Sequence, residues 1–160
     1  RMIMTKDVYG KEYEVSVEKL IPSVHVYGVV IQDGKALISP QYDGYDWPGG
    51  TFELGEDTVE TLRREVKEET GYSVEPVKLL GIYTSFFHHI KRNVDYQSFL
   101  VFYLARIVGG EISNAGFDED EKEYAKEARW VDFDQLKSMH HACSSDIAGE
   151  LLDIIEGEIR

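Results

Sequence analysis

One helical stretch set among strand-like runs constrains this chain more than any other feature. From Asp57 to Thr70, Val59, Leu62 and Val66 fall on one face at the i, i+3, i+7 spacing of an amphipathic helix. Gly71 follows, and glycine readily takes the left-handed conformation that ends many helices. Upstream, residues 12–20 alternate polar and apolar, which predicts a half-exposed strand, and Val24 to Ile31 reads as a buried strand with one glycine. Asp33-Gly34 makes a turn, and Ala36-Leu37-Ile38 returns as the second arm of a hairpin. Pro40 to Gly55 is rich in Gly, Tyr, Asp and Pro and reads as loop, with a short strand around Thr51–Leu54. Downstream, Val77–Phe87 and Ser98–Ile107 are strand-like, and Gly109-Gly110 breaks the chain. Ala128–Phe133 reads as a short strand, and Asp134–Met139 and Ser145–Ile159 read as helices. Strands on both sides of a central helix imply an α/β class, a mixed sheet covered by helices. With no linker or repeat, residues 1–160 read as a single domain.

Charge narrows the partners. Thirty acids against seventeen bases give a formal charge of −13. Such a field repels nucleic-acid backbones and anionic membrane surfaces, and no basic stripe offsets it, so long RNA is not an expected partner. No apolar run approaches the roughly 20 residues that span a bilayer. The first residues lack the apolar stretch of a signal peptide. Cys143 is the only cysteine, which excludes an internal disulfide and fits a reducing, cytoplasmic setting. A homodimer is compatible with all of this.

The acids are not evenly spread. Glu65, Glu68 and Glu69 are spaced i, i+3, i+4 and share a sector roughly 100° wide beside the apolar stripe. Like charges at this spacing destabilise a helix by roughly 0.2–0.5 kcal/mol per pair, so something must offset the repulsion. A hard divalent cation would do so, since Mg²⁺ takes oxygen ligands and is commonly shared between carboxylates and phosphates. A carboxylate beside such an ion can take a proton from a bound water. A solvated helix face balanced by Arg64 and Lys67 is the other reading of the same residues.

The surroundings decide between them. Gly50, Glu56, Arg64, Glu65, Val66, Glu68, Glu69, Gly71 and Tyr72 form the pattern Gly-x5-Glu-x7-Arg-Glu-Val-x-Glu-Glu-x-Gly-Tyr. On average residue usage, nine such constraints coincide by accident with a probability on the order of one in ten million. The pattern resembles the signature of the Nudix hydrolases, of the MutT-like kind. Tyr72 stands where the family usually has an aliphatic residue. The resemblance covers 23 residues directly, from Gly50 to Tyr72.

The resemblance implies an α/β/α sandwich around a mixed sheet, with the signature forming loop–helix–loop. It implies that Glu65, Glu68 and Glu69 bind Mg²⁺ or Mn²⁺, that Glu56 supports or joins that site, and that Arg64 fixes the direction of a glutamate. It also implies hydrolysis of a nucleoside diphosphate linked to another group, with Glu68 or Glu69 as the base and a small nucleotide as substrate. An additional acid is expected ahead of Trp130, where Glu121 and Glu123 stand. Tyr42, Tyr45 and Trp47 precede the signature. Tyr45 and Trp47, with Tyr42, are candidates to stack on a nucleobase; in the other reading, the favoured one for Trp47, that residue packs beneath the sheet and the tyrosines cover it. Phe86-Phe87-His88-His89 follows the next strand, where one residue is a candidate for the pocket. Two adjacent histidines on a strand face opposite ways and do not form a metal pair. His140-His141 reads as a cation position near a helix end. ADP-ribose hydrolases of the family tend to carry a proline where Phe87 stands, and diadenosine-polyphosphate hydrolases a tyrosine near His88 and His89. Those absences tilt the expected substrate toward a nucleoside triphosphate.

Overall fold

A computed structural model describes residues 1–113, 116, 127–142 and 147–159. Its larger sheet has six strands: β1 (Met2–Lys6), β2 (Glu12–Ser16), β3 (Ile21–Val29), β7 (Gly49–Thr51), β8 (Tyr72–His89) and β9 (Val94–Gly110). They lie in the order β2-β1-β8-β9-β3-β7. The sheet is mixed: β3 runs parallel to β9, whereas β7 is antiparallel to β3 and β8 to β9. A smaller sheet joins β4 (Ile31–Gln32), β5 (Lys35–Gln41), β6 (Gly44–Asp46) and β10 (Arg129–Asp132) around β5.

Period two along the strands sorts the core into two layers. Val26 and Val101, paired across β3 and β9, face helix α1 (Thr58–Thr70) and pack with Leu62 and Val66. Their neighbours Tyr27 and Phe102 face the opposite way and pack with Trp47 and with Leu151 and Ile155 of α2 (Ala148–Ile159). Helices therefore cover both sides of a mixed sheet, the α/β/α arrangement the resemblance implies. Leu62 and Val66 are completely buried, and each contributes about 1.5–3 kcal/mol. Gly28 of β3 makes this approach possible. A Cβ there would lie 3.1 Å from both Leu62 Cδ1 and Val66 Cγ2.

Both ends of α1 are built by local chemistry. The Asp57 carboxylate accepts from Glu60 N at 2.8 Å, and the Glu60 side chain accepts from Asp57 N at 3.0 Å. This reciprocal pair satisfies two backbone donors that a helix start leaves without partners. Gly71 ends the helix at φ 85°, and its N–H donates to Lys67 O.

Several elements differ from the sequence reading. The segment read as loop, Pro40 to Gly55, holds β6 and β7, because β5 and β3 supply their backbone partners. The short strand expected at Thr51–Leu54 lies at Gly49–Thr51. Gly109-Gly110 does not interrupt β9, which pairs with β8 as far as Tyr72↔Gly110. Phe133–Ser138 forms a 3₁₀ helix in place of the α-helix expected at Asp134–Met139.

Candidate active site

The site lies where α1 crosses β7. The helix presents its acids toward two consecutive glycines, Gly49 and Gly50, which β7 pins opposite Tyr27 and Val26. Glu69 is 2% exposed. Its Oε2 accepts from Gly49 N at 3.0 Å and its Oε1 from Gln41 Nε2 at 3.2 Å. Two neutral donors thus seat this buried carboxylate, and a buried charge is stable only where its hydrogen-bonding capacity is met.

Glu65 fronts the next glycine. A Cβ on Gly50 would fall 2.4 Å from Glu65 Oε2 and 2.6 Å from its Cδ, so the absent side chain is the space the carboxylate fills. The guanidinium of Arg64 stands between acids. Its Nη1 donates to Glu65 Oε1 at 2.8 Å and to Glu68 Oε2 at 3.3 Å. Its other nitrogens grip Glu56 in a two-pronged pair, Nε to Oε2 at 2.7 Å and Nη2 to Oε1 at 2.8 Å, and Nη2 also donates to Thr51 O at 3.0 Å. The forked geometry suits a carboxylate, which a lysine could not grip in this way. Hydrogen bonds from Arg64 pull the Glu56 carboxyl down to about 2, and Glu56 in turn pushes Arg64 above its already high range.

Glu56, Arg64, Glu65, Glu68 and Glu69 are thus brought to one strand edge. Both Glu56 oxygens accept from Arg64, and its Oε1 also accepts from Glu53 N and Thr61 Oγ1, which ties the loop before α1 to the helix. Among the described residues, no three His, Cys, Asp or Glu side chains already converge on one point as a metal cage does. Arg64 supplies the positive charge between Glu65 and Glu68 in this arrangement. The donors nonetheless suit a hard divalent ion: all are carboxylates, and two of them front the same pair of glycines.

The aromatic residues ahead of the signature separate. Tyr45 and Trp47 are buried completely, at 0% and 1% exposure, edge to face with ring centroids 5.8 Å apart. Neither presents a ring face to a substrate in this geometry, so stacking on a base is corrected to core packing for both. Tyr42 alone of the three is exposed. Glu121 and Glu123 lie outside the described residues. His141 is buried with its Nε2 3.1 Å from Asp46 Oδ1, so the reading of a helix-end cation gives way to a pairing within the core. His88 is also buried, stacked on Tyr13 with Nδ1 3.0 Å from Asp95 Oδ1, and does not line the acidic site. Gln41 and the Gly49 N–H escape sequence reasoning. The first has no periodic relation to Glu69, and the second is a backbone group.

The chain is similar to known proteins of one family. The NUDIX domain family model matches residues 21–148. A protein named ADP-ribose pyrophosphatase from Methanocaldococcus jannaschii is 30% identical over 152 residues, covering 86% of this chain and 83% of its own. A MutT-like protein of Streptomyces ambofaciens is 38% identical over 79 residues, and there the match spans 48% of this chain and 51% of the relative. A solved structure, a NUDIX hydrolase from Nitrosomonas europaea, is 25% identical with a TM-score of 0.61, covering 88% of this chain and 92% of that one. Among the described residues, no helix is long and apolar enough to cross a membrane. The signature from Gly50 to Tyr72, the sandwich that carries it and these relatives agree: the chain belongs to the Nudix family and is a hydrolase of that family.

Proposed function

We propose that this Nudix hydrolase cleaves a phosphoanhydride bond in a small nucleotide, a nucleoside diphosphate linked to another group, with Mg²⁺ or Mn²⁺ held by Glu65, Glu68 and Glu69. The observation that carries the reading is the convergence of Glu69 on Gly49 N and of Glu65 on Gly50. When bound, a divalent ion neutralises phosphate oxygens and acidifies water. The chain's own residues do the rest. Arg64 aims Glu65 and Glu68. Both Glu69 oxygens are already engaged by hydrogen bonds, whereas the Glu68 side chain is 41% exposed. Glu68 is therefore the better suited of the two to take the proton of an attacking water. The water oxygen bonds to phosphorus, the anhydride P–O bond breaks, and its electron pair leaves on the departing phosphate.

Two substrates head the test. A nucleoside triphosphate follows from Phe87 standing where an ADP-ribose hydrolase tends to have proline. ADP-ribose is favoured by the archaeal relative of that name, which aligns over most of both chains. The purified protein is incubated with Mg²⁺ or Mn²⁺ and a panel of nucleotides, and products are read by mass. AMP with ribose 5-phosphate identifies the second substrate, and nucleoside monophosphate with pyrophosphate the first. A protein inert across the panel with both ions overturns the proposal.

A further inference from the structure

We infer that Tyr9 and Tyr42 form the nucleobase platform of this enzyme, a corner of two aromatic rings built beside the catalytic acids by segments far apart in the chain. The inference deepens the nucleotide-hydrolase reading and rests on it. The ring centroids lie 6.4 Å apart with planes at 78°. Tyr9 is 70% exposed and Tyr42 39% exposed. Such a corner offers one ring for face-to-face stacking and a second for an edge contact, and both geometries are favourable for planar aromatics.

The structure holds each ring in position at some cost. Tyr42 and Asp43 are the two-residue turn between Gln41 and Gly44, which pair across β5 and β6. Tyr42 adopts φ 52°, the left-handed region that a bulky residue rarely occupies and where Asn or Gly is the unstrained choice in such a hairpin. Strain of this kind persists where the surrounding structure imposes it, and it gathers at ligand sites. Tyr9 sits on the turn between β1 and β2, and that turn is braced. Asp7 Oδ1 accepts from Tyr9 N at 2.9 Å and Lys11 N at 3.0 Å, and Asp7 Oδ2 accepts from Tyr13 OH at 3.0 Å. Burial alone would raise the Asp7 carboxyl, but these donors outweigh it and hold it below its usual range. A large ring is therefore held out toward solvent on a rigid turn.

Position relates the corner to the chemistry. Gln41, the residue before Tyr42, donates to Glu69 at 3.2 Å. The turn therefore follows directly on a residue bonded to the acid. On this proposal, a nucleotide with its phosphates over Glu65, Glu68 and Glu69 sets its base against the two rings. Stacking of this type tolerates every base because each has a π face.

The test is a binding comparison that needs no turnover. AMP, GMP, CMP and UMP each differ from ribose 5-phosphate only by the base, and all are titrated against the protein by calorimetry. Wild type should bind at least one monophosphate about tenfold tighter than ribose 5-phosphate, the size expected for one stacked base. Tyr9→Ala and Tyr42→Asn should each remove most of that margin, asparagine being chosen because it tolerates the left-handed turn. Tyr9→Phe and Tyr42→Phe should keep it. The platform is overturned if wild type shows no margin, or if the margin survives in both ring-deleting variants. Hydrolysis is scored separately. A base-dependent margin in a protein that turns over no nucleotide would sink the enzymatic reading and leave the platform standing. Turnover of nucleotides with no margin would do the reverse.

Discussion

Glu56 and Glu69 belong to the same acidic segment and are held by opposite means. Glu69 is buried and bonded by two neutral donors, the Gly49 N–H and the Gln41 amide. Glu56 is more accessible and gripped by the forked cation of Arg64. A carboxylate paired with guanidinium has its charge cancelled and serves as a brace. The Glu69 carboxylate is instead seated by hydrogen bonds against β7. On the proposed function, the first acid, Glu56, fixes geometry and the second, Glu69, takes part in the chemistry.

Glu69→Gln tests that separation hardest. It preserves size and removes charge from a proposed metal ligand, so kcat should fall by about 10²–10⁴, the several kcal/mol a bound metal supplies, while the melting temperature moves by only a few degrees. Turnover near the wild-type value would erase the distinction between the two acids. Gly50→Ala is a smaller perturbation. Its new Cβ would press on the Glu65 carboxylate, the flexible end of a side chain, while Gly50 keeps its partner Val26 across the sheet. On the proposed function, hydrolysis should drop by about ten- to a hundredfold with little loss of thermal stability, since displacing a positioned group by about an ångström costs up to about 10². Loss of folding with normal specific activity in the remainder would show that the strand, not the acid, is the sensitive part.

The smallest effect concerns the brace and pH. The Glu56 carboxyl titrates near about 2 in the fold, below its ordinary 4.5, because Arg64 bonds it. A depressed acid contributes stability that is fully present above the unfolded value and is lost as pH falls through the folded one. The brace should hold above about pH 4.5 and loosen between there and about pH 2. A carboxyl-carbon NMR titration of Glu56 reads this directly, and a midpoint near 4.5 would mean that Arg64 does not hold it.

Local patterns were legible in the sequence. The helix was read as Asp57–Thr70, and the structure caps it with Asp57 and closes it at Gly71. The acids that meet at Gly49 and Gly50 were read from spacing together with a family pattern. What escaped depends on partners distant in the chain. β6 and β7 are three residues each and exist because β5 and β3 bond them, so composition marked them as loop. Gln41 reaches Glu69, His141 reaches Asp46 and Tyr9 reaches Tyr42 with no periodicity to announce any of them. Tyr45 and Tyr42 stand three positions apart in one aromatic cluster, and only the fold shows that one is core and the other surface.

The place of β3 in the sheet bears on how the site comes into being. Val26 pairs on one side with Gly50, a near neighbour in sequence, and on the other with Val101, far downstream. Pairings between distant segments form slowly, because a long loop must close before the contact rewards it. During synthesis, the strand–helix unit that carries the acids therefore emerges well before the strand that seals Val26 from behind. Until β9 arrives, β3 has a bare edge able to template pairing with another chain. Completion of β9 closes the sheet behind β3 and also covers the point at which an unfinished copy is most prone to stick to its neighbours.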